Sequence, residues 1–438
     1  MTIVEYVPEL EKREITPPVP ETIEDTGLPV SMIEQLILKI LYYRGDTLGR
    51  DLAIGLGLKF SVIDSVVESL KRAHVIQVKR SLGMGSVSAV LALSEAGREH
   101  AREHLEACQY AGRAPVPLSQ YTAVVKAQRL QDRWLTMDML RDAFQHMVVS
   151  PQLLAQIGPA VNSGKSFLVY GQPGNGKTYL AEALFNVRTS DIYIPYAIEA
   201  QGMVIQMFDP IYHQAVEEDG SESAFAFEST YDNRWFRCKR PFIVSGGELT
   251  LEMLDLSYNP LAKFYDAPLQ LKANNGIYLI DDFGRQKVSP AEVLNRWIVP
   301  MERRVDYLTF QNGTKMTVPF ETFLIFSTNL KPEQLGDEAF LRRIQYKMLM
   351  KGPDEAEFAE IFTRFARAKG LKCAPDLVDW FLKKRYRDTG KARRRCHPRD
   401  VITHALDLIN FEGRPQELNR EVLDLAFESC FVSTGEVE

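Results

Sequence analysis

Eight consecutive residues, Gly171-Gln172-Pro173-Gly174-Asn175-Gly176-Lys177-Thr178, follow a short apolar run at 167–170 and open an apolar helical stretch beginning at Tyr179. This strand–loop–helix segment fits GxxxxGK[ST], and it constrains the fold more than any other feature of the chain. Glycine leaves room for backbone N–H groups to turn inward, and a helix N-terminus adds partial positive charge, so the loop is built to cradle an anion such as phosphate. Residues 171–178 and Tyr179 are the expected nucleotide-binding residues, with Lys177 reaching the β- and γ-phosphate oxygens and Thr178 ligating magnesium. A second triplet, Gly164-Lys165-Ser166, is rejected because Pro159 stands where the earlier glycine is required and the segment runs into a strand.

Residues 276–282 form an apolar strand that ends in two acids, Asp281 and Asp282. Alone, such a pair reads as a helix cap; beside a phosphate loop, one carboxylate is suited to the magnesium shell and the other to the attacking water. Asp281 is assigned the metal side and Asp282 the water. Aspartate reaches less far than glutamate, so slow hydrolysis is expected. Residues 322–329 form another buried strand with a polar tip, and Asn329 is placed to hydrogen-bond a γ-phosphate or the lytic water. Two adjacent cations, Arg342 and Arg343, follow, suited to stabilising transition-state charge on a neighbouring subunit. Arg399 stands near the first turn of a C-terminal helix, where the helix dipole disfavours a cation and a functional reason is needed.

At 438 residues the chain exceeds one ordinary core. With 45% hydrophobic and 25% charged residues it is globular, and no apolar run is long enough to span a bilayer. The first twenty residues show no signal-peptide pattern, and the five cysteines lack paired spacing, so reduced thiols and a cytoplasmic location are expected. His100 and His104 share a helix face without a third ligand candidate, so no metal beyond nucleotide-bound magnesium is assigned. A net charge of −6 offers no global attraction for nucleic acid.

Periodicity divides the chain as follows. Residues 1–29 read as a flexible arm. Residues 30–106 read helix–helix–helix–strand–turn–strand with Ser94 capping a last helix, a winged-helix order. Residues 107–122 read as a linker. Residues 123–352 read as an α/β nucleotide-binding domain with a long insertion at about 190–265, where partner specificity is expected and where residues 217–222 are acidic. Residues 353–438 carry only helical patterns. Within the first module Lys71, Arg72, Lys79 and Arg80 are candidate phosphate contacts, yet charges nearly cancel across residues 30–105, leaving DNA and protein contact equally open. The basic run at 383–395 reads as a solvated face or as a border of the nucleotide or an adjacent subunit.

Together these motifs resemble the AAA+ ATPases, over roughly residues 120–432. By that resemblance the fold class is an α/β P-loop NTPase (AAA+) with a parallel sheet core, a C-terminal all-α lid and an N-terminal winged-helix domain. Residues 171–178 resemble Walker A, Asp281 and Asp282 Walker B, Asn329 sensor 1, Arg399 sensor 2, and Arg343 or Arg342 the arginine finger, with Arg303 and Arg304 as rivals. The resemblance implies ATP hydrolysis with Mg2+, assembly of a homo-oligomer such as a hexamer, and remodelling of an unidentified protein partner. The alternative is an ATP-switched DNA-binding regulator acting through the winged helix, although the GAFTGA loop of enhancer-binding activators is absent.

Overall fold

The computed structural model describes residues 15–431 except 82, 84, 131–133, 188, 217–229 and 337–340. Its centre is a sheet of five parallel strands in the order Phe242–Ser245, Ile277–Ile280, Phe323–Thr328, Phe167–Tyr170 and Tyr346–Leu349. Parallel strands need crossovers, and the crossover helices cover both faces, so the strands are apolar on both sides. The period of two is visible in the packing: Phe167 and Val169 join Leu279 and Ile325 on one face, whereas Leu168 joins Tyr278, Ile280 and Phe326 on the other. This mixed α/β arrangement is compatible with a P-loop NTPase.

The N-terminal module has helices Val30–Arg44, Gly49–Leu56, Phe60–Arg72 and Glu95–Ala107 around a small sheet of Thr47–Leu48, Ala89–Leu93 and Ile76–Ser81. Ser94 Oγ accepts the Gly97 N–H at 3.0 Å and starts the last helix. The C-terminal region is a separate helical core formed by Glu355–Ala368, Pro375–Leu382, His397–Glu412 and Arg420–Cys430.

Three expectations need correction. Residues 15–29 are not a free arm: a capping box of Thr22 and Asp25 starts the turn Ile23–Thr26, Thr26 and Leu28 are buried, and Pro17 O accepts the Asp232 N–H at 3.1 Å. Proline-rich, anchor-poor sequence looks unstructured alone, but here its carbonyls are claimed by distant donors. The linker is also shorter than expected. Val116–Pro117 pairs in parallel with Ala197–Ala200, and Pro117 caps the helix Leu118–Ala127, where the fixed proline φ suits a helix entry. Finally, the insertion at 190–265 is not one unit. Phe242–Ser245, inside that span, is an edge strand of the central sheet, while the hairpin Val305–Thr309/Lys315–Pro319 from beyond it packs with the inserted strands. An edge strand has one neighbour, so its apolar signal is weaker than that of Phe323–Thr328. The acidic residues 217–222 lie outside the described residues, as do 1–14 and 337–340.

Among the described residues, no helix is long and apolar enough to cross a membrane. The five cysteines are free.

Candidate active site

The site lies where three neighbouring or near-neighbouring central strands end. Phe167–Tyr170 leads into the glycine-rich loop, which closes at the N-terminus of helix Lys177–Phe185. Gly171 has φ 144°, and a Cβ there would stand 2.5 Å from the Met350 carbonyl oxygen. Gly174 has φ 81°, and a Cβ would stand 2.5 Å from Cys396 Sγ. Both positions therefore demand glycine, for backbone conformation and for space.

Lys177 is only 7% exposed. Its Nζ donates to Gly171 O at 3.0 Å, Gln172 O at 3.2 Å and Asn329 Oδ1 at 2.7 Å. Burial lowers its amine below the ordinary lysine range, while the carboxylates of Asp281 and Asp282 act in the opposite direction. Thr178 Oγ1 donates to Asp281 Oδ2 at 2.9 Å, and Asp281 Oδ1 accepts the Asp282 N–H at 3.0 Å. Asn329 Nδ2 donates to Asp282 Oδ1 at 2.9 Å. Lysine, hydroxyl, two carboxylates and amide thus form one connected set. Asn329 is its bridge because Phe323–Thr328 lies between the loop strand and Ile277–Ile280. Asp282 sits at φ 48°, a left-handed conformation that a side-chain-bearing residue adopts only under local constraint. Neighbouring bonds hold it: Phe283 N donates to Ser327 O at 2.7 Å, and Gln286 Nε2 to Asp281 O at 2.9 Å.

The C-terminal helical region touches the loop directly. Cys396 N donates to Gly174 O at 2.9 Å, and Arg395 N to Asn175 Oδ1 at 3.4 Å. Asn175, 3% exposed, also donates through Nδ2 to Met350 O at 3.4 Å. Arg395 Nη1 donates to Val148 O at 2.5 Å and Nη2 pairs with Glu357 at 2.7 Å. Arg399 Nη1 donates to Tyr179 Oη at 3.3 Å and pairs with Asp400 at 3.1 Å. Tyr179 itself is exposed beside the loop. Of the basic run at 383–395, Arg385, Arg387 and Arg393 are engaged by Asp424, Glu355 and Asp379 within the helical region, and Arg395 alone joins it to Val148.

Arg342 and Arg343 stand apart from this set. They precede Tyr346–Leu349, and Ser166 Oγ donates to Arg343 O at 3.2 Å, so both lie at the strand N-termini, the opposite edge from the loop. Arg343 Nε pairs with Glu302 at 3.1 Å. The Arg304 guanidinium bonds Gly164 O, and burial lowers its pKa; Arg303 is exposed.

Reading the sequence did not single out Gln286, Met147, Val148, Met350 or Arg395 as neighbours of the loop. Arg395 hid within a basic run, and Met147 and Met350, whose Cε atoms come within about 4 Å of a Cβ built on Gly176, carry no motif.

A family model described as a domain of unknown function, DUF8689, matches residues 354–429, the C-terminal helical region. No curated protein matches the chain. Among solved structures, a crystal structure of NtrX from Brucella abortus is similar at 13% identity and a TM-score of 0.37, over 68% of this chain and 55% of that one. That match spans little more than half of NtrX, and so distant a likeness carries no argument about function.

Proposed function

We propose that this chain is an AAA+ type ATP hydrolase that couples ATP binding and hydrolysis to remodelling of a protein partner in a cytoplasmic oligomeric ring. The observation that carries the reading is the single hydrogen-bonded set of Lys177, Thr178, Asp281, Asp282 and Asn329 beside a loop that only glycine permits.

The donor set suits a magnesium triphosphate. Backbone N–H groups of residues 174–178 would surround the phosphates, with Gln172, Pro173, which has no N–H, and Asn175 shaping the turn. Lys177, now bonded to carbonyl oxygens and Asn329, would exchange those partners for phosphate oxygens. Thr178 and Asp281 are the residues to hold Mg2+, which when bound offsets triphosphate charge. Asp282, oriented by Asn329, would position the attacking water and take its proton. Arg399 beside Tyr179, and the bonds of Cys396 and Arg395 to the loop, tie the helical lid to the phosphate-binding segment, so a change in loop occupancy is felt by the lid.

Arg342 and Arg343 lie at the far edge of the sheet from their own loop, which supports a role at a neighbouring subunit's nucleotide and hence a ring, hexameric by the family pattern. The alternative is an ATP-switched regulator that binds DNA through the winged helix. In winged-helix proteins the recognition helix reads bases with its N-terminal residues. Here Lys59, Ser61, Asp64 and Ser65 at the start of Phe60–Arg72 are exposed, with Lys59 paired to Glu21 at the surface, so this helix end is open to a partner, protein or DNA.

The test is calorimetry with ATP and magnesium, followed by phosphate release. Lys177→Ala is expected to abolish binding, and Asp282→Asn to retain binding while turnover falls at least about 100-fold, because the two residues act at different steps. Full turnover by Lys177→Ala would end this reading. Capture on the Asp282→Asn protein in ATP then identifies the partner as protein or DNA.

A further inference from the structure

The turn that follows Ile277–Ile280 is closed by a side chain. Its four residues are Asp281, Asp282, Phe283 and Gly284, and the bond that commonly closes such a turn runs from the fourth N–H to the first carbonyl. Here these two groups do not meet. Gly284 N donates to Gln286 Oε1 at 2.8 Å, and Asp281 O accepts from Gln286 Nε2 at 2.9 Å. One side-chain amide therefore stands between them, its acceptor facing the N–H and its donor facing the carbonyl. Few side chains suit the place: asparagine is one methylene shorter, and ionised glutamate has no donor.

The neighbouring strands hold the residues on either side of Asp282. Asp281 N donates to Ser245 O at 2.8 Å, Phe283 N to Ser327 O at 2.7 Å, and Phe283 O accepts from Thr328 Oγ1 at 2.5 Å. The Phe283 ring is buried, 5.0 Å from that of Phe326. Gly284 has φ 103°, and a Cβ there would stand 2.6 Å from Leu330 Cδ1, so the turn needs glycine at its end. The backbone of Asp282 bonds only within this segment, its N–H to Asp281 Oδ1 at 3.0 Å and its carbonyl to Arg285 N at 2.9 Å. Its φ of 48° is disfavoured for a residue with a Cβ, and such a conformation persists where the surroundings over-determine it. The Gln286 amide, spanning from Asp281 to Gly284, is the contact that brackets Asp282 on both sides.

We propose that Gln286 is a positioning residue: by bridging the turn it keeps Asp282 in its left-handed conformation, and so aims the carboxylate at Asn329 and at the attacking water. The inference rests on the ATPase reading and deepens it with a residue that acts through Asp282. Asn329 occupies Asp282 Oδ1 at 2.9 Å, and Oδ2 is the oxygen left to accept a proton. Misplacing that carboxylate by about 1 Å is enough to cost on the order of 100-fold in rate. The phosphate loop and the Thr178–Asp281 contact lie outside the bridge, so nucleotide binding does not depend on it.

The test compares the full-length parent with Gln286→Leu and Gln286→Glu by ATP–magnesium calorimetry, steady-state phosphate release and melting. Gln286→Leu, which removes both bonds, is expected to bind ATP within about threefold of the parent and to lose about 10- to 100-fold in kcat. Gln286→Glu keeps the size and the acceptor, and its second oxygen faces the Asp281 carbonyl until it takes a proton. The carboxylates of Asp281 and Asp282 raise the pKa of that glutamate. The ratio of its kcat to the parent's is therefore expected to rise about tenfold as pH falls from about 8 to about 5.5, because the protonated acid donates again. A residue that only supports the fold would give a ratio independent of pH. Should Gln286→Leu fail to fold, the isosteric Gln286→Glu carries the test alone. A kcat of Gln286→Leu within about twofold of the parent, a loss of ATP affinity as large as the loss of kcat, or a flat pH ratio overturns the proposal. A parent that binds no ATP overturns the ATPase reading and this proposal with it, whereas a parent that turns over beside an unimpaired Gln286→Leu overturns this proposal alone.

Discussion

At the scale of single residues, the glycine-rich loop works by exclusion of side chains. Gly174 illustrates it: the residue needs a positive φ, and it faces a cysteine from a helix more than 200 positions later. Gly174→Ala adds the left-handed penalty, roughly 1–2 kcal/mol for an L-residue, to a collision with Cys396. ATP affinity is expected to fall about tenfold or more in a nucleotide titration. Pairing it with Cys396→Ala is expected to return part of the loss. No recovery would mean that backbone strain alone accounts for the defect. Lys177 obeys a related logic. Because burial lowers its amine, nucleotide affinity that depends on the ammonium is present at neutral pH and is lost as pH rises through the lowered value, below where a free lysine titrates.

Elements hold these residues in place, and the helix His397–Glu412 shows how an element is tuned. His397 is buried at its first turn, its Nδ1 3.0 Å from Tyr386 Oη and its ring against Phe431. Burial, reinforced by Arg394 and Lys391, depresses its pKa to about 4. An unfolded chain binds that proton near 6.5, so between the two values the unfolded state holds more protons than the native state. Stability from the neutral ring is complete above pH 6.5 and declines by about 3 kcal/mol in all as pH falls towards 4. Melting curves across that window should therefore be steeper in pH for the parent than for His397→Phe. Parallel pH dependences would show that the ring is protonated without cost. The loss would be felt at the candidate site, since Cys396, one residue earlier, bonds the loop.

At the scale of the whole molecule, one buried arginine joins segments that the chain keeps far apart. Arg234, 1% exposed, pairs with Asp232 at 2.8 Å and donates to Thr26 O at 2.8 Å and Gln120 Oε1 at 3.1 Å. Arg234→Met strands the buried Asp232 charge, so a loss of about 3–5 kcal/mol is expected. Denaturant unfolding together with limited proteolysis near residues 15–29 and 107–122 measures it, and a change below about 1 kcal/mol would deny the pair that role. The oligomer is tested at the same scale. Mixing Arg343→Ala subunits with Asp282→Asn subunits is expected to restore part of the activity that each lacks alone if, as proposed, sites are shared between neighbours; no rescue in mixed assemblies would count against a trans-acting arginine.

The features legible in the chain alone are contiguous: the glycine-rich loop between strand and helix, acids at the tip of Ile277–Ile280, Asn329 at the tip of Phe323–Thr328, the Ser94 cap. Each is set by spacing within a few residues, where periodicity and capping chemistry are local. The tertiary structure alone decided which tips meet and what else joins them. That Asn329 bridges Lys177 and Asp282 follows from strand order, and Arg395 with Val148, Arg234 with Thr26, and Arg240 with Gln128 follow from packing between residues over 100 positions apart. The Phe242–Ser245 edge strand and the packed residues 15–29 belong with these, because a one-sided strand and a proline-rich segment bury little on their own and take their places only when partners arrive.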